Sequence, residues 1–288
     1  MKKIIAMTVL SFVFILGCRS FSVQAATMKN GVALFDNGAK DSFSADITGD
    51  GKADTIEYES NYDDKTYKST VSLKVNGAKV KTWSKVDYPP NVKIVKVAKE
   101  YFIEITTEGN GVTSGKLFKY KNGQLKTSLN YENLINKSLL TKGKFAYTDD
   151  AWDMITATKV KGSKIYMEIN LGTKSLGQLK ITNLPVYRTK NSFTVKKNTG
   201  NTKFTLIDKK KGKPVKSFTA KKKITVYKTL GGKKKAKFSI KKNSTFKITK
   251  GAIVNKNIYI KVKTSKGTGW IKLGKSALVK AKGMLVWG

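Results

Sequence analysis

Asp46, Thr48, Asp50, Asp54 and Glu57 place side-chain oxygens at positions 1, 3, 5, 9 and 12 of the stretch DITGDGKADTIE. Lys52 at position 7 offers its backbone carbonyl, and Gly51 at position 6 permits a sharp turn. Hard, oxygen-rich, flexible loops of this spacing suit Ca²⁺, and Thr48 in place of Asp or Asn should weaken the site. The competing reading is an Asp/Gly-rich turn that binds nothing, and any calcium here is expected to be structural. Two other acidic spots lack metal spacing. Asp149, Asp150 and Asp153 read as a solvated turn. Glu104 and Glu108 are four residues apart and share one face of an ideal strand, as paired carboxylates in glycoside hydrolysis would. No neighbouring nucleophile matches them, so no catalytic role is assigned.

The remaining chemistry is mostly exclusion. The chain has no histidine and one cysteine, Cys18. It lacks Gly-x-Ser-x-Gly, His-Glu-x-x-His and a phosphate-binding Gly-rich loop. The expectation is a protein that is not an enzyme. Charge is the strongest signal: 57 Lys+Arg against 19 Asp+Glu give a net charge of +38. Residues 188–288 carry 30 basic residues and one acid, Asp208, whereas residues 1–187 carry 27 basic and 18 acidic residues. Only Arg19 and Arg188 are arginines. Lysine is a mobile point charge suited to diffuse polyanions rather than to bidentate reading of one group. Lys221, Lys222, Lys223, Lys233, Lys234, Lys235, Lys241 and Lys242 are therefore assigned to polyanion binding; the alternative is that they only solvate an outer sheet face and discourage edge pairing.

These residues must be held by strands. TVSLKVNGAKVKTW (70–83) and KLFKYKNGQLKTSL (116–129) alternate apolar and polar residues around Asn76-Gly77 and Asn122-Gly123. Asn-Gly between such runs predicts hairpins with type I′ turns. Further strands are predicted at 92–97, 101–106, 164–170, 202–208 and 224–227, with one short helix within 131–140. The predicted fold is all-β with two domains. The first, at 27–187, is an antiparallel hairpin-rich sheet or partial barrel. A basic linker or hairpin follows at 188–214, and then a small barrel at 215–288.

The acidic loop runs into a strand, TIEYES, rather than a helix. It resembles the calcium loop of FG-GAP or VCBS-type β repeats, with their Asp-x-Asn-Gly-Asp-Gly-x-x-Asp pattern. That resemblance covers a dozen residues in one copy, so it implies the loop's chemistry and not a propeller. Residues 218–273 resemble a bacterial SH3-like domain: Ile224-Thr-Val-Tyr227, a Gly-containing turn, Phe246-Lys-Ile, Tyr259-Ile-Lys-Val262 and the closing Gly269-Trp270-Ile271. The resemblance implies a binding module for cell-wall components, with Tyr227, Tyr259 and Trp270 as flat platforms of a ligand groove; the alternative is that they fill the barrel core.

The N-terminal stretch completes the expectation. Lys2-Lys3, the apolar run 4–17 and Val23-Gln24-Ala25 form a secretory signal peptide. Cleavage after Ala25 leaves a mature chain of about 260 residues without cysteine, which must rely on core burial instead of disulfides. Leu16-Gly17-Cys18 gives a lipoprotein reading as the minority alternative. The short leader and the lysine bias look like a Gram-positive bacterial protein. The expected function is that of a basic, secreted or cell-surface protein whose C-terminal module binds teichoic-acid-like polyanions or peptidoglycan, with an anionic membrane surface as a further partner. A secreted enzyme or inhibitor that uses this module for targeting is the alternative. Specific nucleic-acid binding is not expected.

Overall fold

A computed structural model describes residues 24–36, 40–109, 112–134, 155–173, 175–190, 192–195, 198–205, 207–208, 213–214, 217–232, 234–274 and 276–280. Cys18, most of the leader, Asp149, Asp150, Asp153 and Lys233 lie outside these residues, as do the side chain of Glu108 and the tail 281–288. No helix among the described residues is long and apolar enough to cross a membrane.

The protein is nearly all β, and apart from the short parallel pair of β1 (Gln24–Ala25) with β3 (Asp41–Ala45) its ladders are antiparallel. The first sheet has the order β1 (Gln24–Ala25), β3 (Asp41–Ala45), β4 (Asp54–Asp63), β5 (Lys68–Val75), β6 (Ala78–Val86). The second has the order β10 (Gln124–Asn130), β9 (Val112–Lys121), β8 (Glu100–Gly109), β7 (Asn91–Val97), β2 (Val32–Leu34). Both Asn-Gly turns adopt the positive φ that type I′ demands, with 50° and 77° at Asn76-Gly77 and 53° and 74° at Asn122-Gly123. The two sheets face each other across a core of Phe35, Ile56, Tyr58, Leu73, Ile94 and Ile103. β1 consists of the last two residues of the expected leader. Cleavage after Ala25 would remove it and leave Ala26, whose N–H donates to the Ser42 carbonyl at 2.8 Å.

The third sheet is larger. Its path is β11 (Ile155–Lys161), β12 (Lys164–Thr173), β13 (Gly177–Arg188), β15 (Asn198–Thr205), β21 (Thr245–Val254), β22 (Asn257–Thr264), β23 (Gly267–Lys272), β19 (Ile224–Tyr227), β20 (Lys235–Ile240). β14 (Phe193–Val195) pairs with β13, and β18 (Phe218–Thr219) with β21. A separate pair joins β16 (Ile207–Asp208) to β17 (Lys213–Pro214). β21 pairs with β18 through its first residues and with β15 through its last, with a bulge between Ile248 and Lys250. Among the described residues no sheet closes into a barrel. The C-terminal strands form an open run with the two-residue β18 at one end and β20 (Lys235–Ile240) at the other, instead of the small closed barrel that the sequence predicts. The stretch read as a linker or hairpin includes β15, which carries the ladder from β13 to β21.

A second core joins the layers. Val95, Val97, Phe102 and Leu117, on the far face of the second sheet, cluster with Ile155, Ala157, Ile165 and Met167 of the third. The second sheet is thus buried on both faces: the neighbours Ile94 and Val95 of β7, and Phe102 and Ile103 of β8, enter different cores. The predicted helix begins at Tyr131: α1 (Tyr131–Asn133) is capped by Asn130, whose side chain accepts from the Asn133 N–H at 3.0 Å.

Candidate anion-binding face

The C-terminal sheet sets lysine against lysine. In the β21–β22 ladder Lys247 stands opposite Lys263 and Lys250 opposite Lys261. Residues directly opposite in an antiparallel pair share a face with Cβ atoms about 5 Å apart, and like charges there repel. Lys261 and Lys263 are two residues apart, a step of about 7 Å along the strand. Lys247, Lys250 and Lys263 are exposed and Lys261 half-buried. The core-facing partners in the same ladder, Ile248 and Val262, lie on the other side.

The N-terminal sheets contain the same kind of pairing and treat it differently. Lys74 stands opposite Lys79, and Lys119 opposite Lys126. There Lys74 is bound to Glu59 at 3.1 Å and Lys119 to Glu100. Every ion pair among the described residues lies between positions 40 and 188. The lysine quartet of β21 and β22 has no carboxylate partner among the described residues.

Aromatic rings adjoin the quartet. Lys261 pairs on its other side with Trp270 of β23, and Trp270 pairs with Tyr227 of β19, so Lys250, Lys261, Trp270 and Tyr227 form one row across four strands. The Lys261 ammonium lies 5.9 Å from the Trp270 ring centroid, within cation–π range. Gly269 makes this row possible: a Cβ there would come within 2.3 Å of Val226 Cγ1 and 2.8 Å of the Tyr227 carbonyl oxygen. Tyr227 and Trp270 are half-buried. Tyr259 is two residues along β22 on the same face but only 4% exposed. Burial, followed by the neighbouring Tyr227, pushes its hydroxyl above the ordinary range. The structure thus brings Tyr227 and Trp270 together and leaves Tyr259 as a buried neighbour.

The lysines selected from the sequence divide into two groups. Lys221, Lys222 and Lys223 precede β19, Lys241 and Lys242 follow β20, and an Asn243 N–H donating to the Ala220 carbonyl brings the two turns together. Lys234 and Lys235 lie at the opposite end of the β19–β20 ladder, where Lys235 pairs with Tyr227. All seven are exposed. The quartet at 247, 250, 261 and 263 was missed, although the alternation in FKITK and YIKVKT marks it; its significance depends on ladder register, which sequence does not give.

The acidic loop turns its oxygens onto itself. Asp46 accepts from the N–H groups of Gly49, Asp50 and Gly51, and Asp50 accepts from that of Lys52. Asp54 is buried and accepts from the Ile47 and Thr48 N–H groups, the Thr48 hydroxyl and the Asn76 side-chain amide at 2.7 Å. Burial raises its carboxyl, but these hydrogen bonds together outweigh burial and hold it below the ordinary range. Glu57 lies on the opposite face of β4 from Asp54, 4.0 Å from Lys40 Nζ. A calcium ion would have to draw Asp46 and Asp50 away from the loop's own amides, and Glu57 stands outside that set. Among the described residues no three His, Cys, Asp or Glu side chains are grouped for a metal.

Glu104 is fully buried and occupied. It accepts from the Tyr131 hydroxyl at 2.7 Å, the Ala157 N–H at 2.6 Å and the Thr156 hydroxyl at 3.1 Å, and Lys93 Nζ is 3.6 Å away. Burial pushes its carboxyl up, against the opposing pull of Lys93 and these donors. Lys93 also donates to the Ala157 carbonyl, so the pair clips both backbone groups of one edge-strand residue. These are bonds between layers, not an open acid pair.

No protein-family model matches this chain, and a search of curated proteins returns no significant relative.

Proposed function

We propose that this is an exported cell-surface binding protein whose C-terminal sheet holds an anionic wall polymer, a teichoic-acid-like polyphosphate, without catalysis. The carrying observation is the unrelieved like-charge pairing of Lys247 with Lys263 and Lys250 with Lys261. In the N-terminal sheets the same protein neutralises such pairs with glutamates. A strand pair that places like charges opposite each other is destabilised by the repulsion, and a bound polyanion removes it. The about 7 Å step between successive lysines on one strand suits a regularly charged chain better than a compact ligand. Trp270 and Tyr227 complete the row with flat surfaces for the uncharged units between charges. The SH3-like resemblance, the signal peptide and the lysine bias support the same reading, and any calcium taken up by the loop at 46–57 is structural within it.

The test is co-sedimentation of the full chain with purified Gram-positive walls before and after removal of teichoic acid. Pelleting that is lost on stripping is the expected result. Pelleting that survives stripping would transfer the function to peptidoglycan, and no pelleting with either would defeat the proposal.

A further inference from the structure

The first sheet ends at β6 and the second at β10, and between these two edges the sandwich opens into a groove of about 520 Å³. Val80, Trp83, Phe118 and Leu125, half-buried against the sandwich core, form its apolar floor. Lys79, Lys81 and Lys116 line it as well, and no acid does. The Lys81 ammonium stands 5.9 Å from the Trp83 ring centroid. Among the described residues β6 pairs with β5 only, so its second edge presents backbone groups that no described strand pairs. Along β6 the residues Val80, Trp83 and Val86 are half-buried and the others exposed.

We propose that this groove binds an extended peptide segment that alternates apolar and acidic residues and adds to β6 as a further strand. Strand addition supplies main-chain hydrogen bonds, while alternate side chains supply selectivity. One set of side chains enters the groove over Val80, Trp83 and Leu125. The other set meets Lys79 and Lys81. Edge lysines ordinarily repel an added strand, so here they reject neutral and basic strands and accept an acidic one, attraction and exclusion coming from the same residues. The groove shares no residue with the lysine quartet of β21 and β22, so this inference does not depend on the wall-polymer reading.

The test titrates the full-length protein with a short blocked peptide of alternating Val and Glu, by calorimetry and by amide hydrogen exchange. The controls are a Val–Lys peptide, a Val–Glu peptide N-methylated at alternate residues, and inorganic polyphosphate. The expected result is binding of the Val–Glu peptide alone among the peptides, with slowed exchange in β6 and not in β10. Lys81→Glu, a surface change, and Trp83→Ala should each weaken binding by about tenfold or more. Binding of the N-methylated peptide with equal affinity, or displacement by polyphosphate without protection of β6 in the peptide complex, would show a charge-only site and overturn the proposal. No binding of the Val–Glu peptide would overturn it too.

Discussion

Glu104 and Lys93 are paired across β7 and β8, with Tyr131, Thr156 and Ala157 filling the remaining hydrogen-bonding sites. Removing one member of a buried ion pair leaves the other uncompensated, so Glu104→Ala should lower unfolding free energy by about 3–5 kcal/mol. The double change Glu104→Leu with Lys93→Met should recover most of that loss; denaturant unfolding of both variants checks it. The pH dependence has a definite sign. Burial lifts the folded-state carboxyl of Glu104 above its ordinary value of 4.5. Its contribution is therefore complete below that value and is lost as pH rises through the folded-state value. The stability lead of the parent over Glu104→Gln should shrink between acid and neutral pH, and a lead that grows would contradict this assignment. Arg188, half-buried, lies beside the edge-to-face pair of Phe102 and Phe193, 5.4 and 5.1 Å from their centroids, and donates twice to Glu100. A lysine cannot reproduce the delocalised cation beside both rings or the paired donation, so Arg188→Lys should cost about 1 kcal/mol in thermal unfolding. Neither role was visible in the sequence. Glu104 sits at a position that alternation assigns to an ordinary solvated strand face, and only the third layer of sheet reverses that.

At the scale of elements, local signals were the readable ones. The Asn-Gly turns, the helix start at Tyr131 and the strand at Ile224–Tyr227 follow from a few adjacent residues, and the structure has them where the sequence puts them. Pairing between distant strands was not readable. The bulge at Ile248 that lets β21 serve both β18 and β15 has no local signature, and neither has the open edge where a barrel was expected. The acidic loop was located by its spacing, but its bonds to the Asn76 turn connect segments 22 residues apart. Asp54→Ala would leave the Ile47 and Thr48 N–H groups and the Asn76 amide short of a partner, and should cost about 1–3 kcal/mol in unfolding free energy. Gly269 tests the β19–β23 contact. Gly269→Ala inserts a methyl group against Val226 and the Tyr227 carbonyl. It should destabilise by about 1–3 kcal/mol and change the fluorescence of Trp270 as the strands separate; an unchanged melting temperature would refute that contact.

For the whole molecule, charge was legible from the first count, and its arrangement was not. A net +38 states only that anions will be attracted. The division between lysine pairs neutralised near Glu59 and Glu100 and pairs on β21 and β22 without a carboxylate partner among the described residues is what the proposed site rests on. The most direct measurement is the affinity of the full chain for inorganic polyphosphate across a salt series, compared with the variant in which Lys247, Lys250, Lys261 and Lys263 are all glutamine. The account predicts that parent affinity falls steeply as salt rises, because exposed charges are screened within about 8 Å at physiological ionic strength. It predicts that the variant binds much more weakly with a shallower salt dependence, while its melting temperature without polyphosphate stays equal or rises as the like-charge pairs are relieved. Equal affinity and equal salt dependence in the two proteins would contradict the account.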